Sequence, residues 1–242
     1  MVVEIVEKQF VTLKKPIIVE GFPSVGLVGA IATEYLASKM DLKEIGFIKS
    51  DEFPPITLVK DGIPKSPIRI YANESLVVIV SDTVVPPQLS GEVAKAMADW
   101  AQHHGAEKVI SLGGIAHEER EKIEPKVYSV SPDEEKIKQL KKAGVQPVKL
   151  GFLTGVFGLL MMECYEKNIP SYGFLADAHM QYPDAGAAAK VLEALISDLG
   201  LKLDVKPLLE TSSKIEEKMA VLMKQTMAAG AAGEEAGQSL YR

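Results

Sequence analysis

The sequence predicts an α/β fold in which a mixed, mainly parallel β-sheet is flanked by helices, with a C-terminal helix and a flexible tail. Two observations predict the sheet and its flanking helices. Short runs of β-branched residues alternate along the chain with segments whose apolar residues recur at helical spacing. The β-branched runs are almost entirely apolar, as expected for parallel strands covered on both faces. The composition, 47% apolar and 25% charged residues in 242, is that of a globular protein with a sizeable core.

Four apolar runs predict buried strands. They are Ile17-Ile18-Val19 and segments 76–80, 108–112 and 171–175. Three further segments, 45–49, 56–59 and 66–71, lie among Pro and Gly without an intervening helical pattern. This spacing predicts a meander that makes the sheet mixed.

Helical spacing of apolar residues predicts five helices, over 25–39, 88–103, 133–142, 155–167 and 184–198. Pro207 then marks a break, which divides the chain into an α/β domain (1–206), an amphipathic helix (207–228) and a Gly- and Ala-rich flexible tail (229–242). An apolar stripe follows the break, and its candidate oligomerisation residues are Ile215, Met219, Leu222 and Met223. The stripe packs either on the chain's own core or against a neighbouring subunit.

Charge and composition exclude several classes of protein. The formal net charge is −6 and the basic residues are scattered, so the sequence has no electrostatic signature of a nucleic-acid or anionic-membrane partner. The single cysteine, Cys164, lies in an apolar run and is expected to be buried and unreactive. The first eight residues lack the pattern of a signal peptide, and the apolar stretch 151–162 is too short to span a bilayer. We expect a cytoplasmic protein.

A Gly-rich segment, Gly21 to Ala30, follows a predicted strand and opens a predicted helix. A P-loop would need Lys and then Ser or Thr after its second Gly, but Leu27 and Val28 follow Gly26. The dinucleotide motif G-x-G-x-x-G also fails, because its first Gly is misplaced. The segment therefore predicts a tight packing turn, in which Ser24 acts as a helix N-cap rather than as an esterase nucleophile.

Polar residues follow several predicted strands, where ligands of parallel sheets bind. Asp82, His117, Asp177 and His179 could supply acid and base groups there, but their spacing names no reaction, and loop-end polar residues and caps explain them better. No zinc-motif spacing accompanies His117, and we expect neither a metal nor a cofactor. An alternative function is a small-molecule enzyme acting in a strand-end crevice around Ser24, Asp82 and Asp177.

Several blocks of the chain resemble the proteasome assembly chaperone family of the second-subunit type, in its archaeal homologue form. The resemblance covers about Ile17 to Ala194. The blocks are Gly21-Phe22-Pro23-Ser24-Val25-Gly26-Leu27-Val28-Gly29, Asp51-Glu52-Phe53-Pro54-Pro55, Leu153-Thr154-Gly155-Val156-Phe157-Gly158-Leu159-Leu160 and Pro183-Asp184-Ala185-Gly186-Ala187-Ala188. The resemblance implies a phosphorylase-like fold without established catalysis and a role in assembling or activating the proteasome core particle.

The last three residues, Leu240-Tyr241-Arg242, match the hydrophobic-Tyr-any motif by which proteasome activators and some of these chaperones dock between α-ring subunits. The resemblance therefore implies a non-enzymatic, ATP-independent protein whose partners are proteasome α-subunits or the core particle. A chaperone and a gate-opening activator both fit this motif. Because one tripeptide binds weakly, we expect a homo-oligomer, such as a closed ring, that presents several tails.

Overall fold

A mixed sheet of nine strands forms the centre of the computed structural model, which describes residues 3–210 and, beyond them, Met219, Leu222 and Lys224. A two-stranded hairpin lies apart from this sheet. In chain order the strands are β1 Glu4–Glu7, β2 Ile17–Gly21, β3 Lys43–Lys49, β4 Leu58–Lys60, β5 Ile63–Lys65, β6 Ile68–Ala72, β7 Leu76–Ser81, β8 Lys108–Ala116, β9 Val127–Val130, β10 Gln146–Pro147 and β11 Ser171–Ala178.

The strand order across the large sheet is β1-β3-β6-β7-β2-β8-β11-β9-β10. The four central strands β7, β2, β8 and β11 run parallel to one another, and β10 runs parallel to β9. The pairs β1–β3, β3–β6, β6–β7 and β11–β9 are antiparallel. The predicted mixed sheet is therefore confirmed, with its parallel part at the centre.

Helices cover both faces of the sheet. They are α1 Val28–Lys39, α2 Ser90–His103, α3 Glu134–Lys142, α4 Gly155–Glu166, α5 Ala185–Leu199 and α6 Lys206–Glu210. Helices α1 and α5 pack together on one face, and α2 and α4 pack together on the other. Alternation along β2 supplies both layers, since Val19 joins the core under α1 and α5 whereas Ile18 joins the core under α2 and α4.

Local sequence signals set the ends of these helices. Asp184 caps α5 by accepting a 2.8 Å hydrogen bond from the Ala187 N–H, and Gly200 ends this helix in the left-handed region with φ of 64°. Asp133 caps α3 in the same way through the Glu135 N–H at 2.9 Å. All five predicted helices are present with bounds that differ by only a few residues.

The predicted meander is only partly correct. Strands β3 and β6 pair directly, and the intervening segment 56–59 does not join the large sheet. It instead contributes β4 to a separate hairpin with β5, which turns at Asp61 and Gly62, both with positive φ. Strands β1, β5, β9 and β10 were not predicted by the sequence patterns.

The C-terminal stripe is described at two of its four positions. Leu222 is buried in the core between the sheet and helices α1 and α5, and Met219 is partly buried against the same core. Ile215 and Met223 lie outside the described residues, so the assignment of the four residues to oligomerisation stays a prediction.

Among the helices of the described part of the chain, none combines the length and the apolar character that crossing a membrane would require.

Candidate functional site

The Gly-rich turn after β2 brings backbones into direct contact. A Cβ on Gly21 would lie 2.1 Å from the Gly29 carbonyl oxygen, and a Cβ on Gly29 would lie 2.3 Å from the Leu112 carbonyl oxygen. Gly26 adopts a φ of 60° inside the short 3-10 helix that precedes α1. The glycines thus serve close packing of α1 on β2 and β8, which confirms the predicted packing turn.

Ser24 occupies the N-cap position of the 3-10 helix Val25–Leu27 rather than that of α1. Its carbonyl accepts a 2.9 Å hydrogen bond from the Leu27 N–H, but its Oγ makes no capping bond. This Oγ is buried and has no hydrogen-bond partner among the described residues. The predicted cap is therefore correct in position and wrong in its side-chain bond. Among the described residues, no base is hydrogen-bonded to Ser24 Oγ to activate it as a nucleophile.

Asp184 is the centre of a polar cluster where β8, β11 and the Gly-rich turn meet. Its carboxylate faces Arg120, with Nε 2.8 Å from Oδ2 and Nη2 donating to Oδ1 at 3.0 Å. The His179 N–H donates to Oδ2 at 3.2 Å, and the Asp184 N–H donates to the Gly26 carbonyl at 2.8 Å. Together with its helix cap, these bonds occupy both carboxylate oxygens. Asp184 therefore acts as a structural clamp.

The cluster extends to the surface through two rings. The imidazole of His179 stacks on Tyr182 with 4.0 Å between centroids, and its Nε2 lies 3.8 Å from Asp184 Oδ2. The Tyr182 hydroxyl donates to Glu121 at 2.9 Å. His117 directly follows β8, and His179 directly follows β11, the parallel strand that neighbours β8. The Nδ1 of His117 accepts a 3.2 Å bond from the Glu119 N–H. The two histidines thus flank one end of the sheet.

The two predicted aspartates have separate structural partners. Asp82 pairs with the guanidinium of Arg69 at 2.5 Å, and that buried guanidinium also donates to the Tyr71 hydroxyl at 2.9 Å. Asp177 is buried and accepts a 3.2 Å bond from the Lys126 N–H. The structure therefore assigns each aspartate to its own contact and does not assemble Ser24, Asp82 and Asp177 into one catalytic arrangement.

Sequence reasoning missed Glu20, a fully buried carboxyl in central strand β2. Its Oε2 accepts a 3.1 Å bond from the Phe22 N–H, whereas Oε1 has no partner among the described residues. Burial raises the pKa of Glu20 to about 7, against the opposing effects of Ser111 and the Phe22 N–H. The sequence did carry one signal for this residue. Glu20 is a single charged residue that directly follows the apolar run 17–19 of a predicted buried strand.

Cys164 is fully buried on α4, as predicted. Burial raises the pKa of its thiol to about 12, so the nucleophilic thiolate is scarce at neutral pH. Among the described residues, no group of three or more His, Cys, Asp or Glu side chains is placed to hold a metal ion. The candidate docking residues Leu240, Tyr241 and Arg242 lie outside the described residues.

Known proteins resemble this chain over most of its length. The model of the PAC2 family matches residues 18–223. An uncharacterized protein of Methanocaldococcus jannaschii, MJ0106, is 30% identical over 220 residues, which cover 91% of this chain and 90% of that protein.

Two solved structures from Pyrococcus furiosus share the fold. PbaA, described as an archaeal homolog of proteasome-assembly chaperone, superposes with a TM-score of 0.87 at 35% identity, covering 94% of this chain and 99% of PbaA. PbaB, described as an archaeal proteasome activator, superposes with a TM-score of 0.79 at 27% identity, covering 90% of this chain and 97% of PbaB.

Proposed function

The chain belongs to the PAC2 family, and on that premise we propose that it is a proteasome assembly chaperone or an ATP-independent activator of the proteasome core particle. The observation that carries the proposal is its likeness to PbaA over nearly the whole length of both chains. The likeness to PbaB extends the same proposal to an activator. Both roles require contacts with proteasome subunits.

The geometry at the ends of the central strands favours action through protein contacts. The Asp184 carboxylate is fully engaged by Arg120 and backbone amides, and the buried Ser24 Oγ has no partnering base among the described residues. The glycines of the turn after β2 are used for backbone packing. These contacts explain the polar residues at this edge without a bound substrate, which supports a non-enzymatic role.

Docking on the α-ring would use the C-terminal tripeptide. A free α-carboxylate can form a charge-assisted hydrogen bond with a lysine of the receiving pocket. Leu240 supplies apolar area, and the Tyr241 ring combines an apolar body with a polar hydroxyl. Chains with the Gly- and Ala-rich composition of residues 229–239 behave as random coils, so this segment would act as a tether with a reach of about 17–20 Å for its eleven residues.

Several tails on one body would strengthen this docking. A homo-oligomer, such as a closed ring, raises apparent affinity by about 10²–10⁴ where the geometry allows simultaneous binding. Such a protein would act in the cytoplasm, in the compartment of its proteasome partners.

A pull-down tests the proposal and separates its two forms. Full-length chain and a chain truncated after Ser239 are each mixed with isolated proteasome α-subunits and with mature core particle. An assembly chaperone captures isolated α-subunits, whereas an activator captures the mature particle and accelerates its peptide hydrolysis. In both cases the truncated chain should lose binding to the α-ring. If the full-length chain captures neither partner, the proposal is wrong.

A further inference from the structure

An exposed apolar loop lies where the chain leaves one edge of the large sheet. The Val148 N–H still donates to the Ser129 carbonyl at 3.0 Å, beside edge strand β10. The next residues turn away, and Leu150 and Phe152 are 96% and 99% exposed. We call residues 149–154 the knob. A protruding aromatic side chain of this kind is costly to leave in water and is typical of an interface anchor.

The knob is seated on α4, which extends its apolar surface. Leu153 packs over Gly158, where a Cβ would lie 2.7 Å from the Leu153 Cβ, so this contact requires a glycine. Helix α4 then presents Leu159, Met162 and Tyr165 to solvent at intervals of three residues. Its opposite side packs into the core with α2.

A groove of about 450 Å³ lies toward the other end of the sheet. It lies beside hairpin β4–β5, which connects β3 to β6 along the chain. These two strands are the second and third from that edge of the large sheet. Its lining includes Phe47, Pro64, Ile63, which is 59% exposed, and Lys8, whose ammonium lies 4.9 Å from the centre of the Phe47 ring. An apolar base with a cationic rim suits an aromatic side chain.

Charge distinguishes the two surfaces. Glu163 and Glu166 lie beside the exposed face of α4, where Lys167 is paired with Asp99 at 2.7 Å. The knob itself carries one exposed lysine, Lys149, so the two glutamates leave this surface acidic by one charge. The groove lining carries Lys8, and its other two charged residues, Lys65 and Glu44, pair with each other, so the groove is basic by one charge. Two α4 faces would repel each other, whereas an α4 face and a groove attract. Contacts between unlike faces are therefore favoured over a two-fold contact between like faces.

The area of the apolar surface suits a stable contact. Phe152 is 99% exposed and Tyr165 is 58% exposed, so these two aromatic residues can bury a further area of about 240–390 Å². Four aliphatic side chains bring the surface toward the roughly 800 Å² per partner of a standard interface. The side chains concerned are Leu150, Phe152, Leu153, Leu159, Met162 and Tyr165.

We propose that the knob of one copy of this chain binds in the groove of the next copy, so that subunits associate head to tail. Because the two surfaces lie toward opposite ends of the sheet, each subunit can receive one neighbour and contact another. A head-to-tail contact of this kind closes into a ring when its rotation permits. The inference rests on the homo-oligomer proposed above and identifies the surfaces that join its subunits.

Three single substitutions of exposed apolar residues by Glu test the contact. Phe152→Glu blocks the knob, and Ile63→Glu blocks the groove. Met180→Glu is the matched control, since Met180 is 62% exposed and lies outside both surfaces. Native mass spectrometry and light scattering measure the assembly. Wild type and the Met180 variant should form the same oligomer, whereas each blocked variant should be monomeric, with its dissociation constant raised at least tenfold.

Mixing the two blocked variants gives the decisive result. The Phe152 variant keeps an intact groove and the Ile63 variant keeps an intact knob, so an equimolar mixture should form a 1:1 heterodimer that grows no further. Heterodimer formation also shows that both variants are folded. The inference would be overturned if either blocked variant assembled like wild type. It would also be overturned if the mixture stayed monomeric or if wild type itself were a monomer. Core-particle capture in the pull-down is read independently, so it separates this failure from failure of the proposed function.

Discussion

Replacing Glu20 by Gln should stabilise the protein in a manner that depends on pH. The carboxyl is fully buried, and burial raises its pKa from 4.5 to about 7. A pKa that is higher in the folded than in the unfolded state contributes stability that is fully present below about pH 4.5. This contribution is lost as the pH rises through about 7, because the folded state must then hold a buried charge. At 1.36 kcal/mol per pKa unit, the loss amounts to about 3 kcal/mol.

The Gln side chain has nearly the same shape and can still accept the bond from the Phe22 N–H, but it never ionises. The free energy of unfolding of Glu20→Gln should therefore differ from wild type by less than about 0.5 kcal/mol at pH 4.5 and exceed it by about 3 kcal/mol at pH 8.5. Urea denaturation at fixed protein concentration measures both differences. Glu52→Gln, at an exposed carboxylate, controls for the chemical change itself. A difference that is the same at both pH values would refute the reasoning.

Three further predictions concern the candidate site. Asp184→Ala should lower the free energy of unfolding by about 3–5 kcal/mol, because it removes the α5 cap and leaves the Arg120 guanidinium without its carboxylate. Asp184→Asn, which retains a cap, should cost less, and equal losses in urea denaturation would contradict the clamp. Gly29→Ala should destabilise by about 1–3 kcal/mol because its Cβ meets the Leu112 carbonyl, whereas Gly91→Ala, with open space around it, should be neutral or stabilising. Calorimetry should detect no saturable binding of ATP with magnesium at micromolar concentration, and saturable binding would show that the Gly-rich turn holds phosphate after all.

The sequence predicted the central part of the fold well because long elements carry repeated signals. Helices α1 to α5 each show apolar spacing over several turns, and strands β2, β7, β8 and β11 are buried on both faces. The missed strands lack such signals. Strand β10 contains two residues, β5 contains three, and β1 and β9 contain four each, which is too few for a repeat of apolar residues to be recognised. Their pairing depends on neighbours distant in the chain.

The candidate site was predicted less completely, for a related reason. The packing role of the Gly-rich turn followed from the absence of phosphate-binding residues, and the structure supports it. The clamp between Asp184 and Arg120 joins residues 64 positions apart, and no local pattern pairs them. The burial of Glu20 likewise depends on the helices that cover β2 rather than on its immediate neighbours. The exposed side chain of Phe152 became visible only once the surrounding core was defined.

The most direct test of the proposed function compares the binding of four chains to the proteasome core particle. They are wild type, Tyr241→Ala, Arg242→Ala and wild type extended by one glycine. A pocket built for the terminal carboxylate loses its charge-assisted partner when the chain is extended, so extension should be as harmful as loss of the Tyr241 ring. Wild type and Arg242→Ala should bind and the other two should not. Binding of the extended chain as tight as that of wild type would contradict docking through the C-terminal carboxylate.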